Sequence, residues 1–166
     1  ALHKAVEQAQ DFLNSYIFTN LLIPVHYSTM VMDDLRTGYL ETCSESVWPV
    51  VDNVYFEITK VPDDVDVVEL NNVIDTLAPF GQGVMLRVSS IDCDLMTMPA
   101  DKLFSVGLDF HYDTRGDAAI QSDLTVFAAN AKQAELRCHA HSVGGIENCV
   151  AAVQAHFDFI LSLIHI

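Results

Sequence analysis

Phe104-Ser105-Val106-Gly107-Leu108-Asp109-Phe110-His111-Tyr112 is the stretch on which the fold reading turns. In an extended chain Phe104, Val106, Leu108, Phe110 and Tyr112 fall on one side, and Ser105, Gly107, Asp109 and His111 on the other. Asp113-Thr114-Arg115-Gly116-Asp117, rich in turn-forming residues, comes next. Beyond it Ile120, Ser122, Leu124, Val126 and Ala128 alternate with Gln121, Asp123, Thr125 and Phe127. After Asn130, Ala134, Leu136, Cys138 and Ala140 alternate with Glu135, Arg137, His139 and His141. Three alternating runs joined by short turns predict an antiparallel meander with one buried face.

Working outward, Val84, Leu86 and Val88 alternate with Met85, Arg87 and Ser89, which adds a fourth strand. Upstream of it, Pro62-Asp63-Asp64 is a helix-start signal, with acids at the end where the helix dipole favours them. Val67, Leu70, Val73, Ile74 and Leu77 then keep helical spacing up to Pro79 and Gly81. Val6, Ala9, Leu13, Tyr16 and Ile17 predict an N-terminal helix, and Ile146, Val150, Val153, Phe157 and Ile160 a C-terminal one. Residues 24–32 and 50–61 alternate as strands, residues 39–43 suggest a short third one, and Trp48-Pro49 reads as an anchored loop. The fold class predicted is α+β: an antiparallel β-sheet, made of a four-strand meander after a core helix plus two or three N-terminal strands, with N- and C-terminal helices. Residues 1–160 read as a single domain truncated at both ends. Residues 161–166, Leu-Ser-Leu-Ile-His-Ile, match a translated sequencing-adapter end and are set aside as an artefact, which removes His165 as a ligand.

The 166 residues can bury a proper core, and a hydrophobic content of 51% argues against disorder. Mean hydropathy is +0.26, yet no apolar run approaches the roughly 20 residues of a membrane span. Net charge is −15, from 23 acids against eight Lys and Arg, which repels nucleic acid and anionic lipid. A protein or peptide partner, basic in character, suits that charge. Cys43, Cys93, Cys138 and Cys149 show neither CxxC pairing nor zinc spacing, so they predict free thiols in a reducing, cytoplasmic setting.

Two sets of residues are candidates for chemistry. His139 and His141 share one face of a strand, as two adjacent metal ligands would, and Asp109, His111 and Asp123 lie on the polar sides of neighbouring runs. In a simple meander, however, the two His-bearing strands lie about 10 Å apart, long for one ion, and the same face reads equally as solvated surface. Asp66 and Glu69, at the start of the core helix, are candidate general bases, although acids there also serve as caps. Gly81-Gln82-Gly83 leads into a strand without a following Lys and is no phosphate loop, and GxSxG is absent. No cofactor is expected.

A core helix followed by Gly, a strand ending in Ile91-Asp92, the Leu95-Met96-Thr97-Met98-Pro99 loop and three more strands resembles the hotdog fold over residues 63–142. The resemblance implies an acyl-thioester enzyme (thioesterase or dehydratase) or acyl-group binder working as a dimer. The His-Phe-Pro-Gly type stretch of its dehydratases is absent, so no catalytic residue carries over. Cystatin-like and NTF2-like folds place strands after a helix in the same way, and the whole-chain order resembles secretion-chaperone-like and sensory-regulator-like domains. With no catalytic motif on the page, the first reading is a small acidic binding or chaperone-like module, and the hotdog enzyme is the alternative.

Overall fold

The computed structural model describes residues 2–109, 117–141, 143 and 146–161. Its elements are α1 (Leu2–Asn14), β1 (Leu21–His26), α2 (Tyr27–Val31), α3 (Asp33–Ser46), β2 (Val54–Thr59), α4 (Val67–Leu77), β3 (Gly83–Val88), β4 (Leu103–Asp109), α5 (Asp117–Gln133), β5 (Cys138–His141), α6 (Ile146–Gln154) and β6 (Phe159–Leu161). The strands are hydrogen-bonded in chain order, β1 to β6. β1 runs parallel to β2, β4 to β5, and β5 to β6. The antiparallel meander is therefore overturned.

The error lies in α5. Parallel neighbours need a crossover between them, and here the crossover is a helix. Ile120, Leu124, Phe127 and Ala131, all buried, stand at i, i+4, i+7 and i+11, one stripe of a helix. The same residues also contain a period-two pattern, because small and polar side chains fill the intervening positions. Ala118, Ala119, Ala128, Ala129 and Ala131 tip the balance, since alanine has the highest helix propensity. Asp123 accordingly sits on a helix and not on a strand.

The other predicted segments divide in the same way. The core helix and the strand at 83–88 form as read. Of the strand read over residues 50–61 only Val54–Thr59 forms, and Trp48–Asn53, including the expected loop, is a 3-10 helix. The run from Pro24 instead ends as a strand at His26 and turns into α2. Residues 39–43, read as a short strand, lie instead within α3, which buries only Cys43 and Ser46 and so carries no apolar stripe. Its hydroxyls return to the helix itself: Thr37, Thr42 and Ser44 each donate to the carbonyl four residues back, at 2.9 Å. The C-terminal helix stops at Gln154, and Phe159–Leu161 becomes a strand. Of the tail set aside as an artefact, Leu161 belongs to β6, and residues 162–166 lie outside the described residues.

The chain divides into two compact units, residues 1–61 with 65–85, and residues 62–64 with 86–166. In the first, Ile23 and Val25 of β1 align in register with Phe56 and Ile58 of β2, and all four are buried. Leu70, Val73, Ile74 and Leu77 of α4 contribute the helical part of that core. In the second, Val106, Leu108 and Ala140 are buried on the strands, and Phe127 of α5 stacks on Phe157 at 6.0 Å. β2 shows what parallel packing does to a strand: Glu57 and Thr59, predicted to face solvent, are 1% and 5% exposed.

Three helices end on the same device with an unusual residue in it. At the ends of α1, α5 and α6, Tyr16, Glu135 and His156 adopt positive φ of 61°, 59° and 64°. Ile17, Leu136 and Phe157 donate back to Phe12, Ala131 and Ala152 at 2.8, 2.9 and 3.1 Å. This is the Schellman cap, which glycine ordinarily fills.

Candidate functional site

In parallel α/β sheets, ligand sites form outside the carboxyl ends of the strands, where loops diverge and helix starts converge. At those ends of β1 and β2, in the first unit, stand His26 and Tyr27, Thr59 and Lys60, and the start of α4. His26 and Thr59 are register partners, and Pro24 and Glu57 pair two rows earlier. Alternation puts His26, Glu57 and Thr59 on one face of this strand pair. His26 and Lys60 are exposed, while Glu57 is buried. Lys60 has a φ of 58°, so the chain leaves β2 through a left-handed residue that redirects the backbone.

The two acids singled out at the α4 start separate into different jobs. Asp66 is the N-cap: one of its carboxylate oxygens accepts from the Val68 and Glu69 backbone N–H groups at 2.7 and 3.1 Å. Glu69 is exposed on the first turn and accepts a 2.5 Å hydrogen bond from the Tyr27 hydroxyl. Tyr27 is 5% exposed. Burial raises its phenol far above the ordinary range, and the Glu69 hydrogen bond and charge, with the Asp66 charge, add to the shift. Tyr27 therefore stays neutral and holds the Glu69 carboxylate from one side, leaving the rest of it open to solvent.

The histidine set is not what the alternation suggested. His139 is entirely buried and shares a 2.9 Å hydrogen bond through Nδ1 with the buried Ser105 hydroxyl. Its ring lies over Gly107, its register partner on β4; a Cβ there would sit 2.2 Å from Nε2. The solvated face expected for His139 is thus a packed interior. His141 is half-buried at the end of β5, opposite Asp109 in register. His111 and the Asp109 side chain lie outside the described residues. Among the described residues, no three His, Cys, Asp or Glu side chains are grouped to hold a metal ion.

No family model matches the chain, and no curated protein does. Solved structures do match. The chain is similar to the PaMucR phosphodiesterase in complex with c-di-GMP, at 14% identity and a TM-score of 0.65, over 97% of this chain and 71% of that one. It is also similar to the EAL domain of Xanthomonas citri FimX in complex with c-di-GMP, at 16% identity and a TM-score of 0.62, over 96% and 64%. A third likeness is to Bacillus subtilis YkuI, a protein with an EAL domain, in complex with substrate c-di-GMP and calcium. There identity is 13% and the TM-score 0.63, over 94% of this chain and 40% of that one. These likenesses give the fold: a parallel α/β sheet like that of EAL domains.

The functional expectations fall with the antiparallel sheet. The hotdog reading needs antiparallel strands, and the strand directions exclude it. The non-catalytic binding or chaperone-like reading rested on the net charge of −15 and the lack of a catalytic motif. Two of the solved structures this chain resembles, the PaMucR phosphodiesterase and the FimX EAL domain, are complexes with c-di-GMP. Calcium is present with YkuI, and among the described residues of this chain no grouped donor set matches it. Among the described residues no helix is long and apolar enough to cross a membrane.

Sequence reasoning missed Glu57 and Tyr27. An acid in the middle of Val54-Tyr55-Phe56-Glu57-Ile58-Thr59 was the available signal, since both faces of a parallel strand are covered. Tyr27 gave none, because its partner lies 42 residues away.

Proposed function

We propose that this chain hydrolyses a phosphodiester bond of a cyclic nucleotide, with c-di-GMP as the substrate, at the carboxyl ends of β1 and β2. The observation that carries the reading is the Tyr27–Glu69 pair: a solvent-facing carboxylate fixed by a neutral phenol, at the strand ends of a fold that c-di-GMP phosphodiesterases share. Glu69 acts as general base on a water molecule. The water oxygen bonds to phosphorus, one phosphorus–oxygen bond to ribose breaks, and a proton returns to the ribose oxygen that leaves. His26 and Lys60, exposed at the ends of the same strands, donate to the phosphate oxygens as charge builds on them. Asp66 holds the helix start that carries Glu69.

The test is incubation of the purified chain with c-di-GMP, cGMP and cAMP in separate reactions, with product separation by anion exchange. A linear dinucleotide from c-di-GMP, with cGMP and cAMP left intact, is the result expected. Failure to turn over or to bind c-di-GMP overturns the reading.

A further inference from the structure

A cavity lies at the amino ends of β5 and β6, in the second unit. It is a groove of about 680 Å³ where α5 and α6 terminate and β5 and β6 begin. Ala128, Ala129, Leu136 and Ala155 give it an apolar floor, and Lys132, Arg137 and His156 stand on its walls. That volume lies within the usual range for small-molecule sites, about 300–1,000 Å³.

Two basic side chains and a histidine around one groove are a concentration in a chain with eight Lys and Arg and a net charge of −15. The ordinary reason for cations here would be capping, since helix carboxyl ends carry partial negative charge. The caps are already made by the backbone. The Ala131, Lys132, Ala152 and Val153 carbonyls accept from Leu136, Glu135, Phe157 and His156 N–H groups. Lys132 and Arg137 are thus not needed as caps.

Arg137 has further support. Its guanidinium lies 5.0 Å from the centre of the Phe104 ring, which stacks on Phe159 at 5.3 Å, so an aromatic pair supports the cation. Of the two acids lining the groove, Asp158 has a carboxylate oxygen taken by the Cys138 N–H at 2.7 Å, while its own N–H donates to the Cys138 carbonyl at 3.0 Å. Burial pushes the Cys138 thiol up to about 11, so it adds no negative charge at neutral pH. Glu135 is the remaining acid.

We propose that this groove binds a small organic anion, a phosphate or carboxylate head on an apolar or aromatic body, with Lys132 and Arg137 holding the head and the alanine and leucine floor taking the body. This goes beyond the phosphodiesterase reading and stands independently of it.

The probe is 8-anilinonaphthalene-1-sulfonate, an aromatic body with one fixed negative charge, followed by fluorescence titration and by amide chemical shifts. We expect one site per chain, shifts centred on residues 125–137 and 154–158, and affinity falling at least tenfold in Lys132→Glu. Arg137→Gln is expected to do the same; should it fail to fold, Lys132→Glu, on an exposed helix position, decides alone. Displacement by phenyl phosphate assigns the head to phosphate, and displacement by phenylacetate alone assigns it to carboxylate. Unchanged affinity in Lys132→Glu, equal binding of neutral N-phenyl-1-naphthylamine, or displacement by neither competitor overturns the proposal. Glu69→Gln should leave the titration unchanged.

Discussion

Two polar pairs in this molecule use similar chemistry in opposite surroundings. Ser105 and His139, on β4 and β5, are both fully buried and hydrogen-bonded at 2.9 Å. Tyr27 and Glu69, joining the end of β1 to the start of α4, are hydrogen-bonded at 2.5 Å, with the tyrosine buried and the carboxylate in solvent. The first has the residue types of a hydrolase nucleophile and base, yet no route for a substrate. The second has a base that water can reach and a neighbour that holds it. Residue type nominates a pair, and access decides between chemistry and packing.

The sharpest way to break the sealed pair is Gly107→Ala. Its Cβ would overlap the His139 ring on a face with no slack, against ring atoms at 2.2–2.5 Å. A loss of about 3 kcal/mol in urea denaturation is expected, the upper end for overpacking. The double variant Gly107→Ala/His139→Ala should recover part of it, because the clash is removed along with the ring. Ser105→Ala, which leaves His139 Nδ1 without that partner, should cost about 1–2 kcal/mol.

Alkali tests the burial of two thiols and of Tyr27. Burial raises the Cys43 and Cys138 thiols to about 11 from an ordinary 9.0, and raises Tyr27 further still. A group with a raised folded-state pKa holds its proton more tightly when folded. Its stabilisation is complete below the unfolded pKa and is lost as pH rises above it. Thermal scans should therefore show Tm steady from pH 7 to 8.5 and falling from pH 9 to 11. Cys138→Ala should flatten that fall, and a Tm that rises above pH 9 would contradict the burial of these groups. The smallest effect expected lies away from both pairs: Tyr16→Gly, at an exposed left-handed cap, should gain about 1 kcal/mol in the same denaturation assay.

The sequence made the first unit's central elements legible and hid the strand direction. α4 and the strands on either side of it carried unambiguous periods, because each has one apolar stripe and clear breakers. Strand direction is set by the connections, and the decisive connection, α5, has Ile120, Leu124, Phe127 and Ala128 placed so that periods of two and 3.6 both fit. The same mistake turned a crossover helix into a strand and a buried histidine into a solvated ligand. Glu69 was legible from its place at a helix start, whereas its partner Tyr27 depended on a contact spanning 42 residues.

The comparison between the pairs is tested most directly by measuring c-di-GMP turnover and urea stability together in Glu69→Gln. Loss of a positioned general base typically slows a reaction about 100-fold or more. The expected result is a rate down by about that factor, with a denaturation midpoint close to that of the wild-type chain. An unchanged rate in a stably folded Glu69→Gln protein would contradict the account.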